Sequence, residues 1–169
     1  MHRARFDAAV LPYLDDGYTL ARYLTRDDEA ARDVVQEACL RALRHVEGLR
    51  GDDGRSWFLA IVRSRCVEWF REQGRGSVFV EYDETVHVPE AGDEANGTDD
   101  YRGATSERVL AAVDALPAVF REVIVLRELC GLSYRAIAEV TGVPAGTVMS
   151  RLARARDRLR VILTTREEP

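Results

Sequence analysis

The chain has 169 residues, of which 46% are hydrophobic, 31% are charged and 8% are aromatic. This composition excludes a disordered chain, a collagen-like repeat and a disulfide scaffold. No stretch reaches the roughly 18 apolar residues that span a bilayer, and the N-terminus runs into no apolar signal core. We therefore expect a cytoplasmic protein with no membrane insertion.

Residue types that many enzymes require are missing from the sequence. All 24 basic residues are arginines, which excludes a Walker P-loop, a kinase lysine and a Schiff-base mechanism. No histidine lies three or four residues from another histidine or from a cysteine, and no G-x-S-x-G sequence is present. We predict that the chain is not an enzyme and binds neither a metal nor a cofactor. The three widely spaced cysteines predict buried thiols.

The formal net charge of −5 conceals an uneven distribution of charge along the chain. Between Gly76 and Tyr101 the sequence has eight acidic residues and no arginine, whereas between Thr147 and Arg160 it has five arginines and one aspartate. A locally basic helix favours nucleic-acid binding even in a protein of acidic pI. A solvated helix surface is the alternative explanation of the same arginines.

The acidic stretch also contains glycines and a proline, and it lacks helical periodicity. It predicts a flexible acidic linker over 76–105 between two small domains, 1–75 and 106–169. Apolar periodicities in both domains predict an all-α fold. The N-terminal domain is expected to be a bundle of three or four helices, and the C-terminal domain to contain a helix-turn-helix.

Three helices are predicted in the N-terminal domain. The first lies after Pro12, the second is capped by Asp27 or Asp28 and ends near Gly48, and the third is capped by Ser56. The third helix combines two tryptophans with several arginines, which suits stacking on unpaired bases, although core packing also explains the tryptophans. The apolar positions are Tyr13, Leu14, Tyr18, Ala21 and Leu24; Ala31, Val34, Val35, Ala38 and Leu43; and Phe58, Val62, Cys66 and Trp69.

The C-terminal domain begins with two predicted helices, the first ended by Pro117 and the second ending near Gly131. Their apolar positions are Val109, Leu110, Val113 and Leu116 in the first, and Phe120, Val123, Ile124 and Leu126 in the second. Ser133 then caps a short helix, Gly142 makes a turn, and a basic helix follows Pro144. This is the helix-turn-helix pattern, in which the second helix enters the major groove; an ordinary helical hairpin is the alternative. The last helix is expected to bury Val148, Leu152, Ala155 and Leu159 and to expose Met149, Ser150, Ala153, Arg154 and Asp157.

Two sets of motifs carry a family resemblance. The sequence DVVQEA at 33–38 is similar to the acidic-Gln-Glu motif of bacterial RNA polymerase sigma factors. The sequences LPAVFREVIVLREL at 116–129, GLSY at 131–134 and GTVMSRL at 146–152 resemble the promoter-binding C-terminal domain of the same family. The two-domain length is similar to that of the extracytoplasmic-function (ECF) group, and both motifs occur in the family's order.

The resemblance implies that the chain binds core RNA polymerase and promoter DNA, and that it helps to melt the minus-ten element. It implies polymerase contacts at Asp33, Gln36 and Glu37. It implies minus-ten contacts at Trp57, Arg63, Ser64, Arg65, Glu68 and Arg71. It implies minus-thirty-five contacts at Arg127, Thr147, Met149, Ser150, Arg151 and Arg154. It also implies an anti-sigma partner.

Two positions depart from the family pattern. Arg63-Ser64 stands where the family often has Arg-Asn, and Glu68 stands where it often has Asp. Met149 cannot make a bidentate guanine contact, so a thymine methyl or the shape of the DNA is expected to be read there. A stand-alone helix-turn-helix regulator and a helical adaptor that no longer touches DNA are the alternative functions.

Overall fold

The computed structural model describes residues 1–79 and 106–165, and every regular element in these ranges is a helix. The predicted linker residues 80–105 lie outside the described residues. The N-terminal part contains four α-helices, which are α1 (His2–Val10), α2 (Leu14–Thr25), α3 (Asp28–His45) and α4 (Gly54–Glu72). Short 3-10 turns follow α1, α3 and α4, at Leu11–Tyr13, Val46–Gly48 and Gly76–Phe79.

Aspartate side chains cap the N-termini of the two long helices of the N-terminal part. Asp27 accepts a hydrogen bond of 2.9 Å from the backbone N–H of Ala30, as the sequence predicts for α3. The predicted N-cap of α4 was wrong, because Asp53, and not Ser56, caps this helix. The Asp53 carboxylate accepts from the N–H of Ser56, and Ser56 is buried within the first turn.

Helix α1 was not predicted, and it packs against the start of α4. Gly54 makes this contact possible, because a Cβ atom at this position would lie 2.6 Å from the Cα of Ala9. The glycine is the first residue of α4. Its lack of a side chain lets the two backbones approach closely.

The C-terminal part contains four further helices. They are α5 (Ser106–Asp114), α6 (Ala118–Ile124), α7 (Tyr134–Thr141) and α8 (Ala145–Thr165). Helix α6 continues as a π-helical segment, Val125–Leu129, and all seven of its own residues are buried. Ser133 caps α7 as predicted, since its hydroxyl accepts from the N–H of Ala136 at 3.1 Å.

The predicted apolar faces are mostly buried, with a few exceptions. Leu43 is 38% exposed and Leu110 is 41% exposed, while Ala42 and Ala112 on neighbouring faces are buried instead. Tyr13, Leu14, Tyr18, Val35 and Trp69 are half-buried at the rim of the core. Cys66 and Cys130 are buried as predicted, whereas Cys39 is half-buried.

The two helical parts pack against each other and share one continuous hydrophobic core. Helix α4 lies against α7, and α2 lies against α6 and the π-helical segment. We call this contact region the seam. The apolar residue Phe79, which the sequence places in the linker, contacts the ring of Phe70 edge-on at a centroid distance of 5.4 Å. In the part of the chain described here, no helix is long and apolar enough to cross a bilayer.

Candidate nucleic-acid and polymerase interface

Helices α7 and α8 form the predicted helix-turn-helix. Gly142 ends α7 in the left-handed conformation, with φ of 73°, and donates its N–H to the carbonyl of Ala138. The N–H of Val148 bonds the carbonyl of Pro144 at 3.1 Å, so α8 begins directly after the turn. The first residues of α8 are exposed, as a groove-reading helix requires.

The six residues assigned to the minus-thirty-five element differ in their accessibility. Thr147, Met149 and Arg154 are half-buried, and Arg151 is only 9% exposed. Ser150 was predicted to be exposed, which is wrong, because it is buried and its hydroxyl donates to the carbonyl of Thr147. Its hydroxyl is buried at little cost because the hydrogen bond to the backbone of its own helix satisfies it.

Arg127 is held by contacts with other residues of the C-terminal part. Its guanidinium donates to the carbonyl of Leu132 at 2.9 Å and lies 4.7 Å from the ring centroid of Tyr134. These contacts orient the side chain at the entrance to α7. A preoriented guanidinium at this position suits a phosphate contact, which positions the protein on DNA.

The six residues assigned to the minus-ten element lie along α4. Ser64 and Arg71 are exposed and Trp57 is half-buried, and spacings of seven residues place these three on one side of the helix. Arg65 was predicted to lie outside the core, but its side chain is almost completely buried. Arg65 pairs with Glu37 of α3 and, at 3.2 Å, with Glu72 of its own helix.

Glu68 is also engaged by α3. Both of its carboxylate oxygens accept hydrogen bonds from the Arg41 guanidinium, at 2.8 and 2.6 Å. This bidentate pair lowers the pKa of Glu68 and keeps its carboxylate charged. Arg65 and Glu68 both belong to the predicted minus-ten set. Through their ion pairs with α3 they hold α4 against that helix.

Of the three predicted polymerase-binding residues, two lie on the outward side of α3 and the third faces α4. Asp33 and Gln36 are exposed, while Glu37 is half-buried in its pair with Arg65. Sequence analysis missed Leu40, which is 50% exposed and follows Asp33 and Gln36 at seven and four residues on the same side of the helix. A large apolar side chain beside these polar groups is typical of a protein-binding surface. The sequence does contain a sign of this surface, because Leu40 is a large apolar residue that falls outside the apolar stripe of α3.

Arg63 of the predicted minus-ten set binds a buried carboxylate of the C-terminal part. Glu122 in α6 is 0% exposed and accepts a hydrogen bond from Arg63 of α4 across the seam. Burial raises the pKa of Glu122, and the positive charges of Arg63, Arg151 and Arg121 oppose that rise. The seam therefore engages an arginine that the resemblance assigns to the minus-ten element.

The fold and these surfaces define a helical protein of two parts, each of which carries residues predicted to bind nucleic acid. Comparison with known proteins identifies the family. Residues 9–76 match the family Sigma-70 region 2, and residues 106–159 match Sigma-70, region 4. The chain belongs to the ECF group of bacterial RNA polymerase sigma factors, as its sequence motifs predicted.

Several known sigma factors are similar to this chain over most of their length. The chain is 31% identical to RNA polymerase sigma factor SigV of Bacillus subtilis over 96% of its own length and 93% of that protein. It is 34% identical to the ECF RNA polymerase sigma-E factor of Haemophilus influenzae, over 82% and 76% of the two chains. Among solved structures, the sigma factor RpoE of Bartonella quintana, bound to the anti-sigma factor NepR, matches with a TM-score of 0.69 at 27% identity, over 92% and 94% of the chains.

Proposed function

We propose that this sigma factor binds core RNA polymerase through the outward side of α3 and reads two promoter elements through α4 and α8. Residues 1–75 form the polymerase- and minus-ten-binding domain, 76–105 the linker, and 106–169 the minus-thirty-five-binding domain. The supporting observation is that the family's two regions match in order on a chain with a helix-turn-helix and an exposed Asp33–Gln36–Leu40 surface. The protein acts in the cytoplasm, where it performs no bond chemistry.

The two DNA-binding domains depend on polymerase for useful affinity. Phosphate contacts supply most non-specific binding, and the arginines of each domain are largely balanced by its own acidic residues. Attachment to one polymerase gives both domains a high effective concentration at the promoter, so that weak contacts add. Melting the minus-ten element costs a few kcal/mol for each unstacked base, which capture of an extruded base offsets.

The structure shows the chain in a closed arrangement that must open for this function. Arg63 reaches promoter DNA only when the seam separates, because its side chain is paired with Glu122 of α6. The solved relative RpoE is bound to an anti-sigma factor. We propose that an anti-sigma partner of the present chain also binds the closed arrangement and withholds it from polymerase.

The polymerase surface is tested by a double variant, Gln36→Ala with Leu40→Asp. Both side chains are exposed, so the fold is expected to remain intact while capture by core RNA polymerase falls at least tenfold. Val161→Asp is the matched control, because Val161 is 64% exposed on α8 and lies far along the chain from α3. Undiminished capture of the double variant would refute the assignment.

The DNA surface is tested by transcription with reconstituted polymerase followed by sequencing of the transcripts. Arg154→Glu is expected to abolish promoter-dependent initiation, whereas Arg160→Glu, at the distal end of the same helix, retains it. Unchanged output from Arg154→Glu would favour the helical adaptor. Tight, specific operator binding by the chain alone would favour the stand-alone regulator, which the family matches do not support.

A further inference from the structure

A cavity of about 400 Å³ opens at the seam. Its walls come from both helical parts: the end of α2, the end of α4 with the segment after it, and the turn between α5 and α6 with the start of α6. Three arginines line it, namely Arg26 after α2, Arg75 after α4 and Arg121 in α6. Leu24, Phe70 and Pro117 supply apolar wall. We call this cavity the arginine pocket.

None of the three guanidinium groups forms an ion pair with a carboxylate among the described residues. Arg121 donates to backbone carbonyls on both sides of the seam, to Leu116 at 2.6 Å and to Leu24 at 3.4 Å. Arg26 donates to the carbonyls of Asp114 and Leu116. The Arg75 guanidinium lies 5.5 Å from the ring centroid of Phe70.

The ordinary structural role of Arg26 and Arg121 is to cap the carbonyl end of α5. That role accounts for only part of their bonding capacity, since a guanidinium has five N–H donors. Arg121 is 4% exposed, and its Nε has no hydrogen-bond partner among the described residues. Carbonyl oxygens carry only partial charges, so three positive charges meet here with little to balance them.

The electrostatic strain is visible in Arg121. Burial lowers the pKa of Arg121 to about 10, and the like charges of Arg26 and Arg75 act in the same direction. Asp114 is the acidic group that opposes them, while the charge of Glu122 is already bound to Arg63. A multiply charged anion in the cavity would remove this repulsion.

We propose that the arginine pocket binds the phosphate group of a small phosphorylated molecule. A phosphate carries nearly two negative charges at pH 7 and offers oxygens that guanidinium forks bind in bidentate pairs. The cavity is within the size range of small-molecule sites and has apolar wall beside the arginines, so it accommodates more than a bare phosphate. The ligand also stabilises the closed arrangement, because both parts of the chain contribute to the site.

Calorimetric titration with pyrophosphate at constant ionic strength tests the site. We expect saturable binding to the full chain, and a loss of at least tenfold in affinity for Arg75→Gln and for Arg26→Gln, which each remove a charged partner. Both side chains belong to exposed residues, so these variants are expected to fold. Arg44→Gln, an exposed change on α3, is the matched control and binds as the unaltered chain does.

A second measurement compares the melting temperature of the protein in the separate presence of pyrophosphate, sodium chloride or a glutamate-rich peptide. Pyrophosphate alone should raise the melting temperature of the unaltered chain and of Arg44→Gln, but not that of Arg75→Gln. An absence of saturable binding at millimolar pyrophosphate, or equal binding by all variants, would overturn the proposal. Binding of the acidic peptide instead would assign the pocket to a protein partner. These assays contain no polymerase, so they remain decisive whatever the transcription assays show.

Discussion

Single residues determine how closely the helices of the N-terminal part approach. Gly54 shows this most clearly, because its neighbour is the backbone of Ala9 and not the end of a flexible side chain. Backbone atoms cannot rotate away from an added methyl group. The packing of α1 on α4 therefore depends on the absence of a single Cβ atom.

Gly54→Ala is expected to destabilise the protein by about 1–3 kcal/mol, because the new methyl group forces α1 away from α4. The measurement is the free energy of unfolding from denaturant titration. Gly48→Ala is the control, since a Cβ at Gly48 meets nothing within 4 Å. Equal stability of the two variants would show that α1 accommodates the methyl group without cost.

Local sequence signals located most helices but not every cap or partner. Asp27 and Ser133 were identified as caps because an oxygen-bearing side chain stood directly before an apolar period. At α4 the same rule led to Ser56, whereas the structure shows the carboxylate of Asp53 accepting from the N–H of Ser56. Helix α1 was missed because it has no amphipathic stripe of its own.

At the scale of elements, α3 and α4 are joined by charged pairs along their whole contact. Arg41 binds Glu68, and Arg65 binds Glu37, so basic residues of each helix meet acidic residues of the other. Sequence analysis placed Glu37, Arg65 and Glu68 in functional sets, and it had no means of pairing residues almost thirty positions apart. Whether they also contact polymerase or DNA stays a prediction.

Removing the Arg41 guanidinium should raise the pKa of Glu68 toward its ordinary value. Because the pKa of Glu68 is lower in the folded protein, the pair stabilises the fold above the pKa of the unfolded state. That contribution is lost as the pH falls through the folded-state pKa. Carbon-13 NMR titration of the Glu68 carboxyl in Arg41→Gln measures the change.

Arg41→Lys separates charge from geometry in the same experiment. Lysine keeps the positive charge but cannot form the two parallel hydrogen bonds, so the pKa of Glu68 should fall between those of the parent and Arg41→Gln. Arg44 is exposed and lies three residues after Arg41 on α3. Arg44→Gln should therefore leave the titration of Glu68 unchanged. An identical pKa in Arg41→Gln and the parent would show that burial, and not the pair, sets the titration.

At the scale of the whole molecule, the arrangement of the two parts could not be predicted from the sequence. Periodicity reports which face of a helix is apolar, but not whether that face meets its own domain or another. The seam also depends on Glu122, whose polar side chain gives no sign in the sequence of being completely buried. Its role emerges only when α4 and α6 are brought together.

The charge of Glu122 is expected to hold the seam closed. Glu122→Gln preserves the shape of the side chain but removes the carboxylate charge that Arg63 of α4 binds across the seam. Loss of one partner from a buried pair costs about 3 kcal/mol, which corresponds to about a hundredfold shift toward the open arrangement. Opening relieves this cost, because it returns Arg63 to water.

The cysteines of the chain report this opening without any added label. The pKa of Cys66 and that of Cys130 are both raised to about 12, chiefly by burial, so alkylation by N-ethylmaleimide is slow in the closed arrangement. Cys130 lies at the seam, with its sulfur 3.9 Å from the carbonyl oxygen of Asp16, and Cys66 is close enough to Glu122 for its charge to raise the thiol pKa. Glu122→Gln should therefore accelerate alkylation at both cysteines, as measured by mass spectrometry.

Cys39 and Glu128 provide the controls for this experiment. Cys39 lies on α3, away from the seam, so its alkylation rate should stay the same; a rise there would indicate general unfolding and not opening. Glu128→Gln removes a carboxylate that pairs with Arg156 inside the C-terminal part, and should leave all three rates unchanged. If Cys66 and Cys130 react no faster in Glu122→Gln than in the parent, the buried pair does not govern the seam, and the closed arrangement must depend on apolar packing alone.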